Sequence, residues 1–402
     1  MAGISTTDPA FRRVAVALFL AGVATFAGLY ATQPLLPLLA SEFGVSAAAS
    51  ALSVSLTTAT LGIGLLVAAP VSEVRGRTVL ITGSLLTSSA LGIVCAFAPG
   101  WPVLLVLRAL EGFALAGLPA VATAYLREEV AGEAYARATG LYIAGTAIGG
   151  MAGRLVAGGV AEVAGWRGAV AAVGGMTLLC ALAVTRLLPP SRGFVPSPAD
   201  PRALLRRYGV LLADPVLLGL YAIGATLMGA FVAVYNALGF RLEAAPYALS
   251  VGAAGLVYLV YPLGSVGSAL GGRAAGRFGN RPVVPVGIAV MAAGILLTLA
   301  APLPVVVAGT ALMTFGFFVA HAVASGWVAA RAAVGAGGPG QAASLYLLAY
   351  YGGSSVAGAL VGTAWTAGGW PAVVALTGSL AGVAALLALA LVRTRSLAPP
   401  AR

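Results

Sequence analysis

Residues 48–77 read AASALSVSLTTATLGIGLLVAAPVSEVRGR, a long apolar run that ends in a short charged turn. The run at 48–71 contains no charged side chain, whereas Glu73, Arg75 and Arg77 follow directly after it. A helix that crosses the hydrocarbon core of a bilayer needs about 20 predominantly apolar residues. This stretch therefore predicts one membrane-spanning helix followed by a turn at the membrane surface.

The same alternation of apolar run and polar connection continues along all 402 residues. Hydrophobic residues make up 60% of the chain and charged residues 8%, against about 25% charged in a soluble domain. This composition supplies twelve spans and leaves no room for a sizeable soluble domain. The sequence predicts an all-α polytopic membrane protein with spans at 14–38, 48–71, 79–98, 102–125, 138–161, 168–188, 215–238, 248–270, 282–301, 303–327, 342–366 and 371–392.

The net charge of +11 comes from 22 arginines and no lysine, scattered between the apolar runs. A nucleic-acid-binding protein gathers such residues on one face, so we exclude that class. With both termini placed inside, 18 of the 22 arginines fall in cytoplasmic segments, and Arg167 and Arg241 fall in outer loops. Because cytoplasmic loops carry the excess of positive charge, both termini are expected in the cytoplasm. The last two arginines, Arg108 and Arg154, lie inside spans.

Two landmarks recur at nearly one spacing. Gly76 and Gly279, each in a basic turn, are 203 residues apart, and Trp166 and Trp370 are 204 residues apart. The longest polar connection is rich in proline and divides the spans six and six. Parallel repeats of this kind build transporters with a binding site near the bilayer midplane. The predicted parts are an N-terminal six-helix bundle at 1–188, a cytoplasmic central loop at 189–214 and a pseudo-symmetric C-terminal six-helix bundle at 215–402.

Residues 30–37 (YATQPLLP) and 235–242 (YNALGFRL), together with the basic glycine turns at 72–77 and 276–281, resemble the major facilitator superfamily. Within it they are similar to the twelve-span drug:proton antiporter and sugar-efflux branch, in particular its YnfM-like inner-membrane transporters. The resemblance covers essentially the whole chain. It implies the major facilitator fold, alternating access between two halves, a monomer and a bacterial inner membrane.

The turn at 69–77 is similar to the superfamily's cytoplasmic gating motif, which implies gating roles for Glu73, Gly76 and Arg77. Glycine permits a tight turn, and an acid can cap a helix terminus or pair with arginine. Glu73 stands where the family usually has Asp, and the second copy has Gly276 at the acid position. A basic turn that only fixes topology is the alternative. The corresponding gating residues of the second copy are Arg277, Gly279 and Arg281.

Span four contains Arg108 and Glu111, three residues apart on one helical face, where they can pair. A charged side chain near the bilayer centre costs about 2.5–3.5 kcal/mol on insertion scales, which favours a functional role. The segment resembles the family's Arg-x-x-Gln-Gly motif, implicated in proton coupling, with Glu111 in place of Gln. We expect Glu111 to carry the coupling proton and Arg108 to respond to its charge. A structural ion pair that fixes packing is the alternative.

His321 is the single histidine and lies in span ten. Because histidine changes charge near neutral pH, His321 is a further candidate for proton coupling. A hydrogen-bonded core residue is the alternative.

Span five carries Gly145, Gly149 and Gly153 at intervals of four residues, a spacing that lets helices pack closely. The stretch also resembles the antiporter motif Gly-Pro-x-x-Gly-Gly, with Thr146 in place of proline. Arg154 follows directly. We expect Arg154 either to line the substrate cavity or to extend to the outer headgroups.

The substrate cavity is expected to be apolar and aromatic with a few polar groups. Its candidate lining residues are Arg108, Arg154, Gln33, Tyr221, Tyr235, Asn236 and Tyr350. The sequence has no Walker A pattern, and its two cysteines, Cys95 and Cys180, lie in apolar runs. We therefore expect no catalytic residue, no cofactor and no metal.

These features predict a secondary active transporter, not an enzyme, that couples protons to the efflux of a small organic molecule such as a drug, sugar or metabolite. A uniporter or a proton symporter for uptake is the alternative, and a membrane-embedded enzyme is a remote one. The expected partners are the lipid bilayer, a small-molecule substrate and protons, without nucleic acid.

Overall fold

The computed structural model describes residues 3–196, 201–334 and 338–394. Residues 197–200 of the predicted central loop lie outside this part of the chain, as do Arg395 and Arg402, which the charge count placed in the cytoplasm. The helices within it are α1 (Pro9–Leu29), α2 (Leu36–Phe43), α3 (Ala47–Arg75), α4 (Arg77–Cys95), α5 (Trp101–Leu115), α6 (Gly117–Glu129), α7 (Gly132–Leu187), α8 (Pro201–Ala213), α9 (Pro215–Glu243), α10 (Val251–Gly255), α11 (Pro262–Phe278), α12 (Asn280–Leu297), α13 (Leu303–Val334) and α14 (Pro339–Val392).

The described residues form ten helical stretches that are long and apolar enough to cross a membrane, some of them made of more than one helix. Two of them, α7 with 56 residues and α14 with 54, are too long for one crossing. At 1.5 Å per residue each would extend about 80 Å, more than twice the hydrocarbon thickness of about 30 Å. Each is interrupted by glycines with non-helical backbone, Gly165 in α7 and Gly368–Gly369 in α14. The described residues therefore make twelve crossings, and the prediction of an all-α polytopic membrane protein is confirmed.

The repeat found in the sequence extends to the backbone conformation. Gly165 has φ 62° and ψ −173°, and Gly369 has φ 61° and ψ −150°. Gly76 has φ 96° and ψ 150°, and Gly279 has φ 84° and ψ 166°. Positive φ is strained for residues with a Cβ, which explains glycine at these four turns.

The chain packs as two compact units. Unit 1 contains the described residues of Met1–Ala199 and Gly239–Leu259, and unit 2 contains those of Asp200–Leu238 and Val260–Arg402. Residues 239–259 group with unit 1 because α10 packs against α7, as described below. The division into bundles at 1–188 and 215–402 remains a prediction.

Each unit has an apolar interior and an apolar exterior. In unit 1, buried residues such as Leu18 and Tyr125 form one cluster, and Leu104 and Trp166 belong to a second. In unit 2, α12 and α13 approach so closely that a Cβ added at Gly294 would collide with the facing backbone. Apolar side chains are also exposed along the helices, as lipid contact requires; examples are Val106, Leu179 and Leu386.

The start of the predicted central loop is attached to unit 1. The Pro189 carbonyl accepts hydrogen bonds from the hydroxyls of Thr78 and Tyr125, at 3.2 and 3.1 Å. The Glu129 carboxylate accepts one from the Ser191 hydroxyl at 2.6 Å. Farther along the predicted loop, residues Pro201–Ala213 form α8.

Candidate functional site

The first span is interrupted at residues 30–32, between the end of α1 and a short 3-10 turn at Gln33–Leu35. Proline has no backbone N–H and disfavours helix at the preceding residue, so Pro34 and Pro37 oppose a regular α-helix here. The sequence predicted one uninterrupted span at 14–38. The interruption leaves the last carbonyls of α1 in need of other hydrogen-bond donors.

Arg108, on α5, supplies donors to this end of α1. Its guanidinium is 1% exposed and donates to the carbonyls of Gly28 at 3.1 Å and Leu29 at 2.8 Å. A third hydrogen bond of 3.1 Å reaches the Ser53 carbonyl on α3. Arg108 thus ties the end of α1 to α3 and α5.

Glu111 completes the surroundings of this guanidinium. Its Oε2 accepts from Nη1 of Arg108 at 2.6 Å and from the Cys95 thiol at 3.8 Å. The carboxylate is almost fully buried, and Gly28 and Gly92 make room for it, because a Cβ at either would lie within 3.3 Å of Glu111 Oε1. Glu111 and Arg108 therefore form a buried ion pair at the α1 interruption.

Arg154, on α7, contacts the other side of the same interruption. Its Nε donates to Gln33 Oε1 at 2.6 Å, and Nη1 donates to the Gly150 carbonyl at 2.6 Å. The guanidinium carbon lies 4.2 Å from the ring centre of Tyr30 and 5.0 Å from that of Tyr258. Arg154 is only 1% exposed, so its guanidinium is enclosed by these groups.

The glycines of span five lie against α1. A Cβ at Gly145, Gly149 or Gly153 would collide with α1 backbone at Phe19, Val23 or Ala27 respectively. The two helices consequently touch backbone to backbone over these turns. This close approach brings Arg154 to the α1 interruption.

One face of α7 also holds α10. A Cβ at Gly158 would lie 3.4 Å from the Val251 carbonyl oxygen. One turn farther, Glu162 Oε1 accepts a hydrogen bond of 2.6 Å from the Gly252 N–H, at the N-terminus of α10. A carboxylate is favourable there because the first N–H groups of a helix lack internal acceptors. Arg154, Gly158 and Glu162 are spaced four residues apart, so they form one continuous contact surface.

The basic turn after α3 is organised around Arg77. Its guanidinium pairs with Glu128 of α6 at 3.0 Å and also donates to the Ser72 hydroxyl. The ring of Phe194 lies 5.7 Å from the guanidinium carbon. Within the described residues Glu73 makes no ion pair, so the acid that holds Arg77 is Glu128.

The second copy of this turn has the same backbone with fewer contacts. Gly279 adopts the same left-handed conformation as Gly76. The guanidinium carbon of Arg277 lies 5.1 Å from the Phe278 ring centre. In the part of the chain that the structure describes, neither Arg277 nor Arg281 forms an ion pair.

In unit 2, His321 lies in an aromatic cluster. Its Nδ1 is 2.9 Å from the Tyr346 hydroxyl. Its ring stacks on Phe317, with centres 5.6 Å apart, and contacts Tyr350 at 4.7 Å. The hydrogen-bonded core role and the proton-coupling role are both compatible with this placement.

The other predicted cavity residues of unit 2 are buried in its helices. The Tyr235 hydroxyl lies 2.7 Å from Thr314 Oγ1, and Asn236 Nδ2 donates to the Gly358 carbonyl at 3.2 Å. The Tyr221 hydroxyl is buried and has no hydrogen-bond partner among the described residues.

At the start of α9, Asp214 caps the helix and pairs with Arg331 of α13. Its Oδ1 accepts from the Val216 N–H, and its Oδ2 accepts from Arg331 Nε, both at 2.8 Å. Partial burial raises the pKa of Asp214, but hydrogen bonds from Arg331, Val216 and Leu217 and the charge of Arg331 outweigh it. The net result is a pKa below the usual value for aspartate.

Comparison with known sequences assigns the chain to a family. The sequence pattern of the Major Facilitator Superfamily matches residues 18–264, more than half of the chain. This chain belongs to the major facilitator superfamily. Superfamily membership makes it a multi-pass membrane transporter and not an enzyme.

Individual relatives in the superfamily agree with this assignment. The chain is 41% identical to the inner membrane transport protein YnfM of Escherichia coli, over 92% of this chain and 88% of the relative. It is 39% identical to the uncharacterized MFS-type transporter YybF of Bacillus subtilis, over 94% of this chain and 92% of the relative. The crystal structure of a bacterial homologue of the human lysosomal transporter Spinster, inward-facing and unoccupied, has the same fold, with a TM-score of 0.78 at 16% identity, covering 96% of this chain and 98% of that one.

Several partners of the site were missed by reasoning from the sequence alone. Cys95 was noted only as a cysteine in an apolar run, yet it contacts Glu111. Tyr258 carries no local signal of its contact with Arg154. Glu162 had one, because it follows Arg154 by eight residues, twice the spacing of four that keeps residues on one side of a helix.

Proposed function

We propose that this superfamily member is a proton-coupled exporter of a small organic molecule, such as a drug, sugar or metabolite. It acts as a monomer in a bacterial inner membrane, with both termini in the cytoplasm. The observation that carries the proposal is the buried Arg108–Glu111 ion pair at the α1 interruption. Burying two charges is costly, and a well-packed apolar pair often gives equal or better stability, so a pure packing role leaves this cost unexplained.

Glu111 is the proposed proton carrier. When it is ionised, Arg108 balances its charge at 2.6 Å. When it takes up a proton, Arg108 loses that partner and becomes available to another acceptor. Because Arg108 also binds the carbonyls of Gly28 and Leu29, the change reaches the backbone of the interruption directly.

Substrate contacts are proposed at the same interruption. Gln33 and Arg154 present polar groups beside the ring of Tyr30, a combination suited to an organic molecule with polar substituents. In unit 2, Tyr221, Tyr235, Asn236 and Tyr350 are the proposed contacts. Proton occupancy at Glu111 and substrate occupancy at Gln33 and Arg154 are then linked through one short segment of chain.

Gates are proposed at both ends of unit 1. At one end, Arg77, Glu128 and Ser72 form the cytoplasmic latch. At the other, α10 rests on Gly158 and Glu162 of α7. Separation of α10 from α7 would open a path to the outer side.

Transport in proteoliposomes tests the proposal. Purified protein is first screened by thermal shift against dyes, drugs, sugars and organic acids to find a ligand. Uptake of that ligand into inside-out oriented vesicles is then measured with and without a proton gradient. An exporter accumulates ligand only when the lumen is acidic. Accumulation driven by the opposite gradient would indicate uptake symport, and equilibration unaffected by any gradient would indicate a uniporter.

A further inference from the structure

A groove lies between α1 and α7 at the end opposite the α1 interruption. The glycine contacts keep the two helices together as far as Gly145, which lies against Phe19. Nearer the start of α7, the side chains of Arg137 and Leu141 line this groove with residues of α1. The groove has a volume of about 430 Å³ and is open to one side.

Two guanidinium groups line this groove. Arg12 comes from the first turns of α1 and Arg137 from the first turns of α7, and both are exposed. Arg137 lies over the ring of Phe11, with 5.9 Å between the guanidinium carbon and the ring centre. The cations thus converge from two helices on one opening.

The acids nearest in sequence do not pair with these arginines. Asp8 precedes Arg12 by four residues, but its carboxylate accepts the Ala10 N–H as the cap of α1. Glu133 precedes Arg137 by four residues, and none of the ion pairs among the described residues includes it, Arg12 or Arg137. The groove therefore has a net positive charge at its opening.

The floor of the groove is apolar. Phe11 and Phe19 form it, and Val16 and Leu141 leave about two-fifths of their surfaces exposed along its sides. The groove thus has two cationic groups at its opening and an apolar floor beneath them. This combination matches a molecule with an anionic head group and hydrocarbon chains.

We propose that this groove binds an anionic phospholipid of the inner leaflet. The phosphate lies between Arg12 and Arg137, and an acyl chain lies along Val16, Phe19 and Leu141. The site is separate from the α1 interruption and does not depend on the substrate or on proton coupling. Because α1 ends at the interruption, a lipid held here would bear on the helix that carries the proposed transport site.

Native mass spectrometry of the full-length protein in detergent tests this site. Phosphatidylglycerol and phosphatidylcholine with identical acyl chains are titrated against the unmodified protein and an Arg12→Gln/Arg137→Gln variant. The control is Arg206→Gln/Arg207→Gln, which removes the same charge from exposed positions on α8. A Leu141→Trp variant keeps both arginines but fills the groove. Glycerol 3-phosphate is added in a separate arm to test a soluble anion.

We expect the unmodified protein and the α8 control to prefer phosphatidylglycerol. That preference should fall about tenfold or more in the Arg12/Arg137 variant, since each cation near an anionic headgroup contributes substantially. Leu141→Trp should weaken the binding of phosphatidylglycerol by a similar factor, because the indole ring occupies the space of the acyl chain. Equal binding of the two lipids, or an equal loss in the α8 control, would overturn the proposal. So would displacement of phosphatidylglycerol by glycerol 3-phosphate at matched concentration, because the site would then recognise a soluble anion.

Discussion

Arg108 and Glu111 lie one helical turn apart on α5 and meet at 2.6 Å, while the same guanidinium holds the last two carbonyls of α1. The charge state of one carboxylate is thereby linked to the geometry of a different helix. An ion pair between two residues of the same helix would ordinarily stabilise only that helix. Here the guanidinium of the pair also binds the end of α1, where the first span is interrupted.

Glu111→Gln should uncouple transport from protons. The substitution is nearly isosteric, so folding should survive, and Arg108 keeps its bonds to α1 and α3. We expect ligand exchange across the vesicle membrane to persist while gradient-driven accumulation disappears. Glu42→Gln is the matched control, because Glu42 belongs to an exposed pair with Arg167 that contributes little. Undiminished accumulation in Glu111→Gln would transfer the coupling role to His321.

Arg108→Ala should destabilise the protein by about 3–5 kcal/mol, because it leaves a buried carboxylate without its partner. The double variant Arg108→Ala/Glu111→Ala should lose less than the sum of the two single variants, with a coupling energy of about 1–3 kcal/mol. Denaturant unfolding in detergent, followed by tryptophan fluorescence, measures the cycle. Additive single effects would mean that the pair has no energetic coupling.

Glu162→Ala should loosen α10 from α7, since it removes the acceptor for the Gly252 N–H. The reporter is a Thr32→Cys substitution in a background without Cys95 and Cys180, because Thr32 is fully buried at the α1 interruption. An impermeant thiol reagent applied from outside should label it several times faster in Glu162→Ala. Glu162→Gln retains an acceptor oxygen, so its labelling rate should lie between those of Glu162→Ala and the protein with Glu162. Equal rates in all three proteins would exclude α10 as an outer gate.

Asp214 should make stability depend on pH in the acid range. Its pKa is lower in the folded protein than in the unfolded chain, so its contribution is complete above the unfolded value. That contribution declines as pH falls through the folded value. Asp214→Asn keeps a good helix cap but abolishes the ion pair with Arg331. The melting temperature of this variant should therefore depend less on pH below the pKa of aspartate in the unfolded chain. The prediction is wrong if the melting temperatures of the variant and the unmodified protein fall equally as the pH is lowered through the acid range.

The orientation can be tested by thiol labelling of intact cells. Single cysteines at Gly209, on α8, and at Ala244, after α9, both occupy exposed positions. With both termini in the cytoplasm, an impermeant reagent should label Ala244→Cys and not Gly209→Cys until the cells are permeabilised. The reverse pattern would invert the proposed topology.

The helices were largely predictable because the information for a span is local. Each apolar run contains its own evidence, and even the short separation between α12 and α13 appears as Pro302 in the sequence. The interruption of span one was not predicted, although Pro34 and Pro37 lie beside it. The run is predominantly apolar, and a hydropathy pattern does not show that two backbone N–H groups are missing.

The partners in the site were harder to predict because they are distant in sequence. Gln33 and Arg154 are 121 residues apart and form a 2.6 Å hydrogen bond. Arg77 has Glu73 close by in the chain but pairs with Glu128, 51 residues away. Only the contact between Arg108 and Glu111 follows from helical spacing.

The backbone contact between α1 and α7 has a dynamic consequence. With Gly145, Gly149 and Gly153 set directly against α1, neither helix can slide along the other without driving peptide groups into each other. We therefore expect the end of α1 and Arg154 of α7 to move together when the protein changes conformation. For the proposed substrate site this means that the polar groups of Gln33 and Arg154 are in position before a ligand binds, so we expect little conformational entropy to be lost on binding.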